Sequence, residues 1–420
     1  MTRQFDIILH IGTEKTGTTT LQHELLFNQQ RLEESGVFYL TTPERVEARG
    51  IAAAAVGDAQ PDDFLKQAGI DTCEQRQRFR EATITEVHDV LDGLPSHVQT
   101  LLISSEHFHS RLRQLDQVEW VRRLFAERAR RFTVVCYLRS QADLVESYYS
   151  TMLKNGEGRP LGEIADKTCE VSNHYYNYHT LLALWASVFG KDAMVPRLFN
   201  PERFEKGDVV ADFLRVVGIA VTLKKPGVEG KRYNESLTPL GQGLLRAINL
   251  HRQQAEDDPD VLAQCGTFAA AVIAQFPGKG ERLSKEALVR IEEEFKTVNA
   301  QVRRQWFSEE ARLFPPRKRD KPNRVKLHLP VSSEQIDTIS QVVELLSGSD
   351  GGPVTVLNSC ADILRDLAVY YEQKNKDLAW SLMRLARRIR PQGPVIKRKF
   401  DEYERIRRHP IRRIRRWISR

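Results

Sequence analysis

The chain has 420 residues, of which 41% are hydrophobic and 28% are charged. This composition is typical of a globular protein with a sizeable core, and it excludes a miniprotein or a disordered segment. The formal net charge is +7, but residues 384–420 hold fifteen basic and three acidic residues, so this segment carries +12 and the preceding 383 residues carry −5. A basic, nucleic-acid-binding body is therefore not expected, because the positive charge lies in a C-terminal tail.

The cysteines indicate a reducing compartment. Five are present, an odd number, and none forms a C-x-x-C pair, so neither a disulfide framework nor a zinc site is indicated. No charged leader precedes the first apolar run, and no apolar stretch reaches the 18 residues that suggest a membrane span. We therefore predict a cytoplasmic protein.

The first elements in chain order are a strand, a glycine-containing loop and a helix. Phe5–Ile11 is an apolar run typical of a buried strand, and Gly12–Gly17 follows it. Leucines at helical spacing predict a helix over Thr18–Ser35, which Gly36 ends before a second strand at Val37–Leu40. Residues 43–75 show no clear periodicity and are left unassigned.

Strands continue to alternate with helices up to about residue 217. Strands are predicted at 100–104, 132–138 and 193–199, and helices at 175–189 and 208–217. Ser140 and Asp143 form a capping box that starts a further helix directly after the second of these strands. This alternation predicts an α/β fold with a parallel sheet flanked by helices.

The remaining elements are predicted to be helical. Helices are expected at 237–252 and 284–307, after a capping box at Ser332 and Gln335, and over 358–408. The proline- and charge-rich residues 314–322 predict a domain boundary. We predict an α/β domain at 1–314, a linker with one helix at 315–352, and a helical C-terminal region at 353–420. Within the last region the spacing resembles a tetratricopeptide hairpin, although an ordinary helical cap fits equally well.

The loop Gly12–Thr20 is the strongest chemical signal. A loop between a strand and a helix turns backbone N–H groups and the positive helix end toward an anion, which predicts a phosphate ligand; a simple turn is the alternative. Gly12 and Gly17 have Walker A spacing, but Thr18 stands at the lysine position and the lysine is Lys15. This argues against a nucleoside triphosphatase.

Two motifs resemble the sulfotransferase family that uses 3′-phosphoadenosine 5′-phosphosulfate (PAPS). Lys15–Thr19 is similar to the family's 5′-phosphosulfate loop, and Arg139 with Ser147 has the spacing of its 3′-phosphate site. Weaker similarities lie at Phe213–Ile219, Arg232–Ser236 and Asn299–Phe314. The resemblance covers about residues 5–314 and implies a P-loop-like fold, PAPS as co-substrate and no metal. The implied donor-binding residues are Gly12, Lys15, Thr16, Gly17, Thr18, Thr19, Arg139, Ser147 and Arg232. Arg139 could alternatively pair with Asp143 or Glu146 on its own helix.

Sulfuryl transfer needs a positively charged group beside the leaving phosphate and a base that accepts the proton of the acceptor hydroxyl. Lys15 is the candidate for the charge. Glu106, at the end of a strand, is the preferred base and His107 is the second candidate. The alternative is that Glu106 caps the next segment or pairs with Arg111 or Arg113.

The acceptor is expected to be a hydroxyl of a carbohydrate or glycoconjugate, by family analogy only. The polar, aromatic segment Asn173–His179 could stack against sugar rings or simply pack on the sheet.

The tail carries an apolar stripe from Ile396 to Ile406 and again after Pro410, among arginines. It predicts a basic amphipathic helix on an anionic membrane surface, or, up to Ile406, a helix that packs on its neighbours.

Two other functions stay open at this point. A P-loop kinase or NTPase would depend on ATP and magnesium, and a non-catalytic, membrane-tethered scaffold would bind no adenine nucleotide. Melting temperatures with 3′-phosphoadenosine 5′-phosphate (PAP), with ATP and magnesium, and with neither would separate the three.

Overall fold

A five-stranded parallel sheet forms the centre of the α/β part. In this computed structural model the described residues are 3–42, 46–58, 60–225, 236–254, 258–315, 317, 332–347 and 357–408. The strands are β1 Phe5–His10, β2 Val37–Leu40, β3 Thr100–Ser104, β4 Ala129–Leu138 and β5 Met194–Leu198. Their order is β2-β3-β1-β4-β5, and every neighbouring pair is parallel. The predicted α/β class is confirmed.

Helices cover both faces of the sheet, as parallel strands require. The helices along the whole described chain, near the sheet and elsewhere, are α1 Thr18–Phe27, α2 Gln29–Glu34, α3 Arg49–Val56, α4 Asp63–Gln67, α5 Cys73–Gly93, α6 His107–Arg111, α7 Leu115–Phe125, α8 Gln141–Lys154, α9 Leu161–Thr168, α10 Tyr178–Phe189, α11 Val209–Val216, α12 Pro239–Gln254, α13 Pro259–Gln275, α14 Lys285–Glu294, α15 Lys296–Trp306, α16 Ser333–Ser347, α17 Asn358–Tyr371, α18 Lys376–Ile389 and α19 Pro394–Arg408.

Burial explains the strand sequences. Ile7 and Leu9 of β1 and Leu101 and Ile103 of β3 have no exposed surface. On one face, Leu21 and other side chains of α1, α2 and α11 form a single apolar cluster with Ile8, Leu102 and Val135 of the strands. Because the sheet is buried on both faces, its strands appear in the sequence as near-continuous apolar runs.

Several helix predictions are corrected. The helix predicted over 18–35 is two helices that meet at Asn28, and the one predicted over 284–307 is divided at Phe295. The unassigned residues 43–75 contain α3, α4 and the start of α5. The helix predicted from Tyr175 begins at Tyr178, because the Asn177 side chain accepts a hydrogen bond from the N–H of Thr180.

The chain divides into two compact units. The first unit comprises residues 1–145, 166–234 and 285–316, and contains the whole sheet; the second comprises 146–165, 235–284 and 317–420. The predicted limits at 314 and 352 group the chain differently, since residues 146–165 and 235–284 pack with the C-terminal helices. Those limits stay a prediction of domains, and the all-helical C-terminal part is confirmed.

In the second unit, α17 and α18 form a helical hairpin that continues into α19. Ala368 and Met383 are fully buried within it, and Ile396 and Tyr403 of α19 are also buried. The Tyr403 hydroxyl donates to the carbonyl of Ala368 at 3.3 Å. At Ile396 and Tyr403 the predicted tail stripe therefore packs on the preceding helices. None of the helices in the described residues has the length and apolar character needed to cross a bilayer.

Candidate active site

The loop after β1 has a backbone suited to close approach by a ligand. Gly12, Lys15 and Gly17 have positive φ angles of 103°, 62° and 81°. Glycine adopts such angles readily, whereas a lysine there is uncommon and is held by its surroundings. Gly17 precedes the first residue of α1 and has no side chain that could cap the helix, so the positive N-terminal end of α1 adjoins the loop.

The end of β4 fixes this loop. The N–H and the hydroxyl of Thr13 both donate to the carbonyl of Tyr137, at 3.1 and 2.9 Å, and the Tyr137 N–H donates to the carbonyl of Gly12 at 2.7 Å. The Thr16 hydroxyl donates to the Thr13 carbonyl at 2.6 Å. Thr13 and Thr16 are buried and hold the loop, while Thr19 is only partly buried.

Arg139 joins the two predicted motifs. Its Nη1 donates to the carbonyl of Lys15 at 2.8 Å, and its guanidinium lies over the Phe199 ring, 5.6 Å from the centroid. The Tyr178 hydroxyl donates to the Arg139 carbonyl at 2.6 Å. Asp143 accepts from Ser140 in the predicted capping box. Lys15 and Arg139, 124 residues apart in sequence, therefore meet at the C-terminal edge of the sheet.

The structure describes two other predicted site residues, Ser147 and Arg232, and the tail less completely. Ser147 is half-buried on the part of α8 that belongs to the second unit. In that unit Glu146 accepts hydrogen bonds from Arg282 and Arg317. Arg232 and the tail after residue 408 lie outside the described residues.

Glu106 lies beside the loop because of strand register. β1 and β3 pair His10 with Ser104, and the Ser105 N–H donates to the His10 carbonyl at 3.0 Å. A methyl group added to Gly12 would lie 3.3 Å from Cα of Glu106. From α1, Nε2 of Gln22 donates to Oε2 of Glu106 at 2.6 Å. The predicted base thus contacts both the loop and the helix that follows it.

The surroundings of Glu106 make it a better base than an exposed glutamate. Burial, and then the nearby carboxylate of Glu47, raise the pKa of Glu106 to about 7, against the opposing effects of His107 and Gln22. A general base is most effective when its pKa lies near the working pH. Glu106 can therefore take up and release a proton near neutrality. Of the arginines considered as its partners, Arg111 bonds to Asp63 and Arg113 to the Ser110 carbonyl.

Sequence reasoning missed Glu47, which lies in the stretch left unassigned. Its Oε1 is 3.3 Å from Nε2 of His107, and its Oε2 accepts from the Ser105 hydroxyl at 2.5 Å. Burial lowers the pKa of His107, but the hydrogen bond and the charge of Glu47 outweigh it and leave that pKa raised. Glu47, Glu106 and His107 bring one atom each to within 4.8 Å of one another. Hydrogen bonds engage both carboxylates, from Gln22 to Glu106 and from Ser105 to Glu47.

Part of the predicted acceptor segment also reaches the loop. The Tyr175 hydroxyl donates to Oε2 of Glu14 at 3.0 Å, and the Tyr175 carbonyl lies 3.0 Å from Nε2 of His109. Burial lowers the pKa of His109 to about 3, so this imidazole is neutral. Tyr176 and Tyr178 are buried. The segment therefore serves partly as core and partly as a wall beside the loop.

Comparisons with known proteins give distant likenesses. No family model matches the chain. An uncharacterized protein of Archaeoglobus fulgidus is 24% identical over 182 residues, which are 41% of this chain and 45% of that protein. The chain thus matches less than half the length of that relative. A solved sulfotransferase from Alicyclobacillus acidocaldarius covers 72% of this chain and 96% of its own, with 11% identity and a TM-score of 0.36. Identities and a TM-score this low do not assign a function, so the function is inferred from the residues of the site.

Proposed function

We propose that the protein transfers the sulfuryl group of PAPS to a hydroxyl group of an acceptor. The observation that carries the proposal is the hydrogen bond from Arg139 to the Lys15 carbonyl, 2.8 Å long. It joins the two sequence motifs that resemble PAPS-binding motifs, at a sheet edge where α/β proteins bind ligands. Glu106, with a pKa raised to about 7 by burial and by Glu47, lies against the same loop.

The loop would hold the 5′-phosphosulfate end of the donor. Its backbone N–H groups, the start of α1 and the hydroxyls of Thr18 and Thr19 supply neutral donors, and Lys15 supplies a positive charge. Arg139 presents a guanidinium for the 3′-phosphate from the end of β4. Ser147 and Arg232 belong to the proposal on their sequence pattern alone.

The transfer step follows from these positions. Glu106 accepts the proton from the acceptor O–H, and the electron pair of that oxygen forms the new S–O bond. The S–O bond to the 5′-phosphate breaks, and the phosphate leaves with its electron pair. Lys15 and the loop N–H groups stabilise the negative charge that develops there.

The acceptor is proposed to be a carbohydrate or glycoconjugate. The segment Asn173–His179 supports this, because Tyr175 bonds to Glu14 of the donor loop and places an aromatic residue beside the reaction site. Aromatic rings commonly bind the apolar faces of extended polar ligands while their hydroxyls bond to neighbours.

The test is the formation of PAP from PAPS with a panel of hydroxyl acceptors. Lys15→Ala should lower turnover by about 10²-fold or more, the usual loss when one stabiliser of developing charge is removed. Arg139→Ala should chiefly weaken PAP binding. Lys66→Ala, which removes an exposed lysine of α4, is the matched control and should leave both unchanged.

Binding separates this function from the alternatives. PAP should raise the melting temperature of the wild-type protein, and ATP with magnesium should raise it less. A larger shift with ATP and magnesium would favour a kinase or NTPase. No shift with either nucleotide, together with no formation of PAP by the wild-type protein, would end the sulfotransferase proposal. Full turnover by Lys15→Ala would remove Lys15 from the role given to it.

The C-terminal tail is proposed to hold the protein at an anionic membrane surface. Residues 411–416 contain four arginines between isoleucines. Each basic residue near such a surface contributes about 1 kcal/mol. Deleting residues 409–420 should weaken binding to phosphatidylserine-containing vesicles and leave turnover of a soluble acceptor unchanged, and equal vesicle binding would refute this role.

A further inference from the structure

We propose that Glu47 is a positioning residue for proton transfer at Glu106, an inference that rests on the proposed function. Its two carboxylate oxygens bond to the residues on either side of Glu106. Oε2 accepts from the Ser105 hydroxyl at 2.5 Å, and Oε1 lies 3.3 Å from Nε2 of His107. Ser105 in turn accepts from the His107 N–H at 3.2 Å. Glu106 is therefore the middle residue of a three-residue segment that one carboxylate holds from both ends.

The backbone of Glu47 is itself fixed to the sheet edge. The Glu47 carbonyl accepts from the Thr42 N–H at 3.0 Å, and the next residue, Ala48, donates its N–H to the Ser104 carbonyl at 2.9 Å. The carboxylate thus approaches the Glu106 segment from the residues between β2 and α3. Gln22 holds the Glu106 carboxylate from α1. Two separate elements determine the orientation of the base.

The charges around the cluster favour this arrangement. The titratable or charged groups that act on it come from three other elements: Tyr39 on β2, Arg49 on α3 and Asp63 on α4. Arg49 is paired with Asp62 at 2.7 Å. Glu47 is therefore left to pair with the imidazolium of His107, at 3.3 Å. The Glu47 carboxylate and the His107 imidazolium form a pair of zero net charge beside the base. Glu106 can therefore ionise next to another carboxylate.

The experiment compares Glu47→Gln and Glu47→Asp with wild type and with Glu127→Gln, which removes an exposed carboxylate distant in sequence from the cluster. Glu47→Gln should lower kcat by about 10- to 100-fold, with the KM for PAPS changed by less than about 2-fold, because misplacing a base slows the chemical step without weakening donor binding. Glu47→Asp keeps the charge and should restore part of kcat. Equal losses in kcat from the glutamine and aspartate variants would contradict a role for the charge.

The pH dependence supplies a readout that a purely structural role would not change. In wild type the imidazole of His107 should titrate above its ordinary range in NMR spectra. In Glu47→Gln its pKa should lie below that range, because burial and the charge of Arg49 lower it and only the smaller effect of Glu106 opposes them. The acid limb of kcat/KM should move to lower pH by up to about one unit, since the carboxylate of Glu47 raises the pKa of Glu106 more than His107 lowers it.

The outcomes for the two proposals can be distinguished. If wild type forms no PAP from PAPS, the proposed function fails, and the NMR titration of His107 alone decides whether Glu47 controls this cluster. If wild type is active and Glu47→Gln keeps both its kcat and its His107 titration, only the positioning role is overturned. Should Glu47→Gln not fold, Ser105→Ala removes one of the two bonds and should lower kcat with the His107 titration retained; an unchanged kcat would overturn the proposal.

Discussion

Replacing Glu106 by glutamine should abolish transfer and, above neutral pH, stabilise the first unit. Burial and the charge of Glu47 raise the pKa of Glu106 from 4.5 to about 7. A carboxyl group with a higher pKa in the folded than in the unfolded state binds its proton more tightly when folded. The stability it contributes is therefore full below about pH 4.5 and is lost as the pH rises through about 7. Glutamine does not ionise, so the stability of the variant does not fall as the pH rises through about 7.

The size of the effect follows from the shift. The difference between 4.5 and about 7, at about 1.4 kcal/mol per pKa unit, corresponds to about 3 kcal/mol. The variant also loses the attraction between ionised Glu106 and His107, which reduces the gain. Its amide oxygen can still accept the hydrogen bond from Gln22. We expect the variant to be more stable than wild type by about 1–3 kcal/mol at pH 8 and nearly equal at pH 4.

The measurement must report on the sheet alone, because the chain has two compact units and a whole-chain signal would mix their transitions. The protein is unfolded in urea at each pH, and pulsed hydrogen exchange of peptides from β1 and β3 monitors the transition. This gives the free energy of unfolding for the first unit. Glu127→Gln, at an exposed carboxylate, is the control and should show no such gain. If Glu106→Gln is no more stable at pH 8 than wild type, or if its gain is equal at pH 4 and pH 8, the pKa of Glu106 is not raised in the folded protein.

Three further outcomes are expected. The kcat/KM of wild type should rise with pH through about 7, as Glu106 ionises, and a flat profile between pH 5 and pH 8 would contradict its role as base. Gly12→Ala should cost about 2–4 kcal/mol and most of the activity, because its φ of 103° is strained for alanine and the added methyl group lies 3.3 Å from Cα of Glu106. Gly190→Ala, at φ 86° with no described atom within 4 Å, should cost only about 1–2 kcal/mol in the same unfolding assay, so equal costs would refute the close approach. Tyr175→Phe removes the hydroxyl that bonds to Glu14 and should raise the KM for the acceptor more than that for PAPS, with a stability loss of about 1 kcal/mol; a change in the KM for PAPS alone would assign Tyr175 to the donor.

The sequence predicted elements well where one local pattern dominates. The apolar runs of the strands and the capping signals at Ser140 and Ser332 are local. The box at Ser332 is complete, and at Ser140 the hydroxyl accepts from the Asp143 N–H and donates to the Asp143 carboxylate. The helix α3 was missed because all eight of its residues are buried, so its sequence has no polar face and no helical period. In α13 only Cys265 and Val272 are buried, and its small and apolar residues are spread around the helix. The hydrophobic pattern of α3 and of α13 lacks the helical period, so neither helix could be predicted from the sequence without knowledge of the residues packed around it.

The site was predictable only as far as it depends on chain-local motifs. Lys15 and Arg139 belong to such motifs, whereas Glu47 matters only through its contacts with Ser105 and His107, which are 58 and 60 positions away in the sequence.

The position of Glu106, in contrast, depends on the register of one pair of strands. β1 pairs His10 with Ser104, the last residue of each strand, and Gly12 and Glu106 follow two residues later. A shift of one residue would put Ser105 or His107 beside Gly12 and would turn the buried side chains of β3 to the other face. β1 lies between β3 and β4, and its register with β4 also sets the Tyr137 bonds that hold the loop. The donor loop and the base therefore share one structural determinant, the placement of β1, so a change that disturbs β1 should impair donor binding and proton transfer together.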